Sequence, residues 1–278
     1  MIKFFDLEKQ DKSLHKSILR DIKKLFKRGD FILGKEVLKF EKNFAKFCES
    51  NYAISCANGT DALTIALKSL NLEKNSEVII PAMTYCSTAF SVINANLKPV
   101  LVDTEPFKPT IDASKIKKKI TSKTKVIMPV HLYGSAANLN AIKKIIKKNS
   151  IFLIDDCAQA HGTIDDSNPT YNKKIGSTAD ISCFSLYPGK NLGGYGDAGI
   201  ITTNNKKFYK MIKSLRNLGS TKKFIHDHIG VNSRLDTVQA IILNKKLKYL
   251  KKLNLKRRKI ANLYNKNILN DKITKLIY

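Results

Sequence analysis

The chain has no tryptophan and only six arginines, and its 23 acidic side chains face 50 basic ones, for a formal charge of +27. So much positive charge invites a nucleic acid or an anionic membrane as partner, but the shortage of arginine argues against the first. Bidentate reading of bases and phosphates draws on the guanidinium fork. The basic residues are nearly all lysines, spread along helical stretches such as 143–148 and 245–259 among abundant Ile and Asn. They read as a compositional bias that coats a solvated face, so neither nucleic acid nor membrane is expected as a partner. Five cysteines, Cys48, Cys56, Cys86, Cys157 and Cys183, show no C-x-x-C spacing and no even framework. Neither a zinc site nor a disulfide set is indicated, no metal is expected, and a reducing cytoplasm fits. No uninterrupted apolar run reaches the ~18 residues of a membrane span, and residues 1–13 lack the apolar stretch of a signal peptide.

What is present is enough hydrophobic residue, 43% of 278, to bury a full core. Between Ala53 and Asn204 short apolar runs alternate with helical stretches, the pattern of a mainly parallel sheet covered on both faces. The runs place seven strands at Tyr52–Cys56, Glu77–Pro81, Lys98–Val102, Lys125–Val130, Ile151–Ile154, Ile181–Ser185 and Ala198–Thr203. Helices are expected at Asp61–Leu70, Ser87–Asn94 and Ala137–Lys148, with one or two more before Glu49. From Arg234 to about Asn265 the lysine-rich pattern predicts one long amphipathic helix with Leu243, Leu247, Leu250, Leu253 and Leu255 on its apolar side. The fold class is α/β, in two parts: an arm and large domain over 1–233, then, over 234–278, the long helix and the start of an incomplete carboxy-terminal domain. Ligands of such sheets sit at the carboxyl ends of the strands, and the unusual motifs fall there.

One lysine stands apart from the other 43. Lys190 closes Ser185-Leu186-Tyr187-Pro188-Gly189-Lys190, among small, apolar and turn-forming neighbours, whereas lysines elsewhere keep company with helix formers. Upstream, the strand through Phe152-Leu153-Ile154 ends in Asp155-Asp156 and runs on into Cys157-Ala158-Gln159-Ala160-His161-Gly162. An amine able to form a Schiff base, with a carboxylate able to keep a pyridine nitrogen protonated, is the minimal apparatus of pyridoxal phosphate chemistry. Ala57-Asn58-Gly59-Thr60 joins a strand to a helix and offers backbone N–H groups and a hydroxyl to an anion, although the same letters also make an ordinary capped turn. Ser185 can add a second oxygen contact to one phosphate. Tyr85, in Pro81-Ala82-Met83-Thr84-Tyr85, can stack on a flat ring or be a packed aromatic. His131 and His161 at strand ends fit a structural role at least as well as a catalytic one.

These segments together resemble the DegT/DnrJ/EryC1/StrS sugar aminotransferases, of the aspartate-aminotransferase fold type I, over nearly the whole chain. The resemblance rests on NGTDALTIAL, EVIIPAMTY, KPVLVDTEP, VIMPVHLYG, LIDDCAQAHG, IGSTADISCFSLYPGKNLGGYGDAGIITTN and GVNSRLDTVQAIIL in that order. The wording YPGKNLGGYGDAG followed by GVNSRLD looks most like the branch that aminates 3-keto-6-deoxy sugars on a dTDP carrier. It implies that Lys190 carries pyridoxal 5'-phosphate and moves the proton, that Asp156 partners the pyridine nitrogen, and that Gln159 lies by the ring's phenolic oxygen. Gly59, Thr60 and Ser185 match phosphate binders, Tyr85 the stacking aromatic, and Asn232 an asparagine that reaches the phosphate from a second subunit, so a homodimer with shared sites is implied. Arg234 either assists there or pairs with Asp236. The implied substrates are L-glutamate and a nucleotide-linked keto sugar. Family members usually continue past the length of this chain into a smaller carboxy-terminal domain, so the expectation is a truncated small domain. The alternative is a shortened homologue that binds the cofactor without turnover.

Overall fold

The computed structural model describes residues 6–147, 149–167, 172–270 and 272. The first residues of the N-terminal stretch, the expected helix end at Lys148, and residues 271 and 273–278 of the expected second part lie outside the described residues. Seven strands form the main sheet: β1 (Tyr52–Cys56), β2 (Glu77–Pro81), β3 (Lys98–Val102), β4 (Thr124–Ile127), β5 (Phe152–Asp156), β6 (Ile181–Ser185) and β7 (Gly199–Thr203). Their order is β1-β7-β6-β5-β4-β2-β3. Neighbours pair parallel except at β7, which lies antiparallel to both β1 and β6. Six strands therefore point their carboxyl ends to one edge, and β7 starts from that edge.

Strand periodicity divides the interior into two layers. Ile79, Ile127, Leu153, Phe184 and Ile200 pack on one face, and their neighbours Val78, Ile80, Val126, Ile154, Cys183 and Ile201 on the other. Helices α3 (Gly59–Ser69) and α4 (Cys86–Asn94) cover the second face; α1 (Leu7–Arg28), α2 (Lys35–Cys48) and α5 (Leu139–Ile146) precede or follow in the chain, with α2 and α5 packed on the first. Phe44 meets Phe184 edge-on at 5.1 Å between ring centroids, joining α2 to β6.

Four expectations are corrected. The strand expected at 125–130 ends at Ile127, because the chain leaves the ladder after it and touches β5 again only through a bridge between Val130 and Asp156. The next strand runs two residues further than its apolar run, to Asp156, since both carboxylates stay in register with β6. The late helix is two, α7 (Thr237–Leu247) and α8 (Leu250–Asn267), broken at Lys248–Tyr249, and Leu255 is exposed. A further helix, α6 (Lys206–Leu215), stands between β7 and that pair where none is expected, because its lysines mask a narrow apolar stripe.

The lysine coat also has an exception. Lys246 of α7 is buried and reaches Asp11 of α1 at 2.7 Å, with the ring centroid of Tyr195 5.2 Å from its Nζ. The pair bolts the first helix to α7 and to the loop after Lys190. Removing one member of a buried pair strands the other charge in the interior. Asp11→Ala is therefore expected to lower unfolding stability by about 3–5 kcal/mol, read from the midpoint of urea denaturation, whereas the same change at exposed Glu8 should leave the midpoint nearly unmoved.

Candidate active site

The carboxyl edge gathers the ends of β1, β2, β5 and β6 and the starts of α3 and α4. Asn58 caps α3 by accepting the Asp61 amide at 2.8 Å. The amides of Gly59 and Thr60, two and one positions earlier in the same turn, are thus those that an anion at this helix end would meet. Gly59 lies against Ser185: a β-carbon built on it would stand 2.7 Å from the Ser185 β-carbon, so only glycine lets the helix start approach the end of β6 this closely. The structure brings these two together although 126 positions separate them in numbering.

Hydroxyls carry the arrangement from there towards β5. Thr60 Oγ1 donates to Ser87 Oγ at 2.8 Å. The next residue, Thr88, is fully buried and donates through Oγ1 to Asp156 Oδ2 at 2.8 Å. The Ala158 amide donates to Asp156 Oδ1 at 3.1 Å. Burial pushes the Asp156 carboxyl above its ordinary range, while these two hydrogen bonds and the charge of Lys190 pull it back. Lys190 is half-buried. Desolvation draws its ammonium below the ordinary lysine value, against which Asp156 is the opposing charge. Amine and carboxylate thus lie within electrostatic reach of each other at the sheet edge.

The loop that presents Lys190 is held at both ends. Leu186 N–H donates to Ala198 O at 2.8 Å, and Lys190 N–H to Tyr187 O at 2.9 Å. Asn191 donates to Asn254 Oδ1 of α8 at 3.0 Å, and Asn254 Nδ2 donates to the His161 carbonyl at 2.7 Å, so one side chain of a distant helix ties the two loops that follow Asp156 and Lys190. Gln159 Oε1 accepts the Tyr133 amide at 2.6 Å. Tyr85 stands at the start of α4 with 72% of its surface exposed, free on the solvent side of the edge. His161 is buried against Phe184, and desolvation depresses its imidazole to about 3, which keeps it neutral and structural.

Among the described residues no hydrogen bond joins Asn232 to Gly59, Thr60 or Ser185. Asn232 is exposed and pairs its backbone with Asn217, while the next residue, buried Ser233, accepts the Ala57 amide and donates to Asp61 at 2.6 Å. Of the two roles left open for Arg234, the described residues show no pairing with Asp236; Arg234 donates to Asn217 Oδ1 at 2.9 Å. Sequence reasoning missed Thr88, Ser87 and Asn254. A Thr four residues from another Thr at a helix start carried a weak signal; Asn254 carried none, since its partners are defined only by folding.

Comparison with known proteins agrees with this geometry. A Streptomyces venezuelae structure, DesV in complex with a ketimine intermediate, superposes with a TM-score of 0.90 at 34% identity, covering 95% of this chain and 70% of that one. An Aneurinibacillus thermoaerophilus protein described as dTDP-3-amino-3,6-dideoxy-alpha-D-galactopyranose transaminase is 44% identical over 97% of this chain and 73% of its own length. A Pseudomonas aeruginosa protein described as UDP-2-acetamido-2-deoxy-3-oxo-D-glucuronate aminotransferase is 39% identical over 95% of this chain and 72% of its own. The family model for the DegT/DnrJ/EryC1/StrS aminotransferases matches residues 12–276. With the amine, carboxylate and anion cradle gathered at one sheet edge, the chain belongs to the DegT/DnrJ/EryC1/StrS aminotransferase family, whose cofactor is pyridoxal 5'-phosphate.

Proposed function

We propose that this chain moves an amino group from L-glutamate onto the ketone carbon of a nucleotide-linked keto sugar, with a dTDP-linked 3-keto-6-deoxyhexose as the acceptor. The observation that carries the reading is the half-buried Lys190 coupled to the buried Asp156. The residues fit the cofactor: glycine at 59 lets the start of α3 close on the end of β6, which sets the Gly59 and Thr60 amides beside the Ser185 hydroxyl, a donor set suited to a phosphate. The dTDP acceptor is favoured by the relative at 44% identity; the UDP-sugar relative at 39% shows why the carrier must be tested.

In this reading Gly59, Thr60 and Ser185 hold the phosphate and Tyr85 covers one face of the ring. Gln159 lies by the phenolic oxygen, its orientation held by the Tyr133 amide. Asp156 holds a proton at the ring nitrogen, kept in line by Thr88 and the Ala158 amide. When bound, the protonated pyridine draws off the electron pair left at the donor's Cα, which is the chemistry the protein itself lacks. Lys190 would anchor the cofactor and, once freed by the donor amine, its own amine would serve as the base that takes the proton from the donor's Cα and, in the second half of the reaction, as the acid that returns one to the sugar carbon. A depressed ammonium suits it, because a larger neutral fraction is available as base near neutral pH.

A second subunit belongs to the proposal. Phe224 and Ile229 near Asn232 are 85% and 97% exposed, an apolar surface that a copy of the chain would cover while presenting Asn232 to its neighbour's phosphate. The division at residue 234 is part of the same reading, with α8 leading towards a second part. Among the described residues no helix is long and apolar enough to cross a membrane.

Incubating the protein with glutamate and a panel of dTDP-, UDP- and GDP-linked keto sugars, with products weighed by mass spectrometry, tests the acceptor; amination of only the UDP sugars would replace the dTDP assignment, and cofactor absorbance with no product from any sugar would favour the non-catalytic alternative. Borohydride reduction of cofactor-loaded protein should leave the cofactor's mass on the Lys190 peptide, and a label on any other lysine would remove Lys190 from its role. Asp156→Asn should fold and still bind cofactor but lose about a thousandfold in kcat, the scale of several kcal/mol of transition-state stabilisation. For the shared site, mixing inactive Asn232→Ala and Lys190→Ala subunits should regain activity through hybrid dimers. Verified subunit exchange without recovery would count against it.

A further inference from the structure

Behind Asp156, on the other face of β5, lies a sealed pair that the reaction above does not use. Residues 155 and 156 alternate across the strand, so Asp155 points to the layer that holds Leu153 while Asp156 points towards Thr88. Asp155 and His131 are both fully buried, with His131 Nε2 3.5 Å from Asp155 Oδ2. The Ala137 amide donates to His131 Nδ1 at 3.1 Å. An amide N–H can only donate, so Nδ1 carries no proton and the ring's proton sits on Nε2, facing Asp155. Neither oxygen of Asp155 has a hydrogen-bond partner among the described residues, which leaves the ring as the group that compensates it.

The same residue is tied to Asp156 through the main chain. His131 N–H donates to the Asp156 carbonyl at 3.0 Å, and Asp156 N–H to the Pro129 carbonyl at 2.9 Å. The ring that faces Asp155 and the backbone that fixes Asp156 thus belong to one rigid strand end. We propose that His131 is a positioning residue: by offsetting the charge of Asp155 and clamping the end of β5, it keeps Asp156 ionised and aimed at the cofactor's ring nitrogen. The inference rests on the reading of Asp156 given above. Its electrostatic basis is that a carboxylate next to another is harder to ionise unless one of them is neutralised.

The other titratable groups around the pair are Cys157 on β5's extension, Cys183 on β6, Asp180 ahead of β6, and Lys190 beyond Asp156. His131, Asp155 and Cys157 place one ligand-type atom each within 4.8 Å of one another, a grouping that could also hold a metal ion. The pairing is favoured because burial holds the Cys157 thiol well above its ordinary value, hence protonated, and its Sγ is engaged with the Asp155 carbonyl at 3.7 Å.

The test follows kcat and KM against pH, together with the visible absorbance of the bound cofactor, which reports its protonation without turnover. Loss of the ring leaves Asp155 uncompensated, which favours the protonated form of Asp156, so the acid limb should move up. In His131→Leu a shift of about one pH unit is expected, with kcat down about tenfold on the acid limb and KM for glutamate little changed. His131→Gln, which keeps an N–H towards Asp155, should stay near the parent, and Asp155→Asn added to His131→Leu should return both limb and kcat towards it. Asp155→Asn alone, an isosteric change, should move the limb down, and it decides the matter if His131→Leu does not fold. Profiles of His131→Leu and the parent that coincide, a double variant no better than the single, an unmoved limb in Asp155→Asn, or a stoichiometric metal lost on His131→Leu would each overturn the role. A fully active Asp156→Asn would instead sink the reading beneath it.

Discussion

A carboxylate removed from water at the end of β5 organises this structure. An ionised Asp156 survives burial only where donors and positive charge surround it, and each comes from a different part of the chain: the Thr88 hydroxyl from α4, the Ala158 amide from the loop beyond β5, and the Lys190 charge from the loop after β6. Satisfying one group therefore fixes three elements relative to one another. The cost of burying the acid is offset only when all of them are in place, so the site and the sheet edge form together.

The remaining scaffold serves that convergence. Ser87, next to Thr88, receives the Thr60 hydroxyl, so the helix start that suits a phosphate and the carboxylate that suits a ring nitrogen are linked through neighbouring residues of α4. On the opposite face, Arg216 reaches Glu41 and the Ser55 carbonyl in a buried network that holds α2 against β1. Together with the Lys246–Asp11 pair, this places polar bolts in regions where apolar packing alone would leave helices free to slide.

Much of this was legible in the chain. Five-residue apolar runs bounded by turn residues located the strands, and β2, β3 and β6 match their runs end to end. Lys190 and Asp156 were legible because their neighbours differ from those of the other lysines and acids. Where reading failed, the governing interactions join residues far apart. The break at Lys248–Tyr249 leaves no mark in the leucine spacing, because helix pairs and long helices share one period. Lys246 sits in a lysine run yet is buried, since its partner lies 235 positions away. Thr88 and Asn254 belong to the same class, being polar residues defined by what folding sets beside them.

The single strand that runs against the others has a consequence for how such a site can vary. Because β7 returns beside β6, the segment that bears Lys190 leaves and re-enters the sheet at one edge, closed by the Leu186–Ala198 hydrogen bond. A parallel continuation would have needed a crossover to the far edge and tied that segment to a helix on one face. Here it is a drawer in a fixed frame: residues between the two anchors can be exchanged, and the amine's reach reset, without a strand changing register.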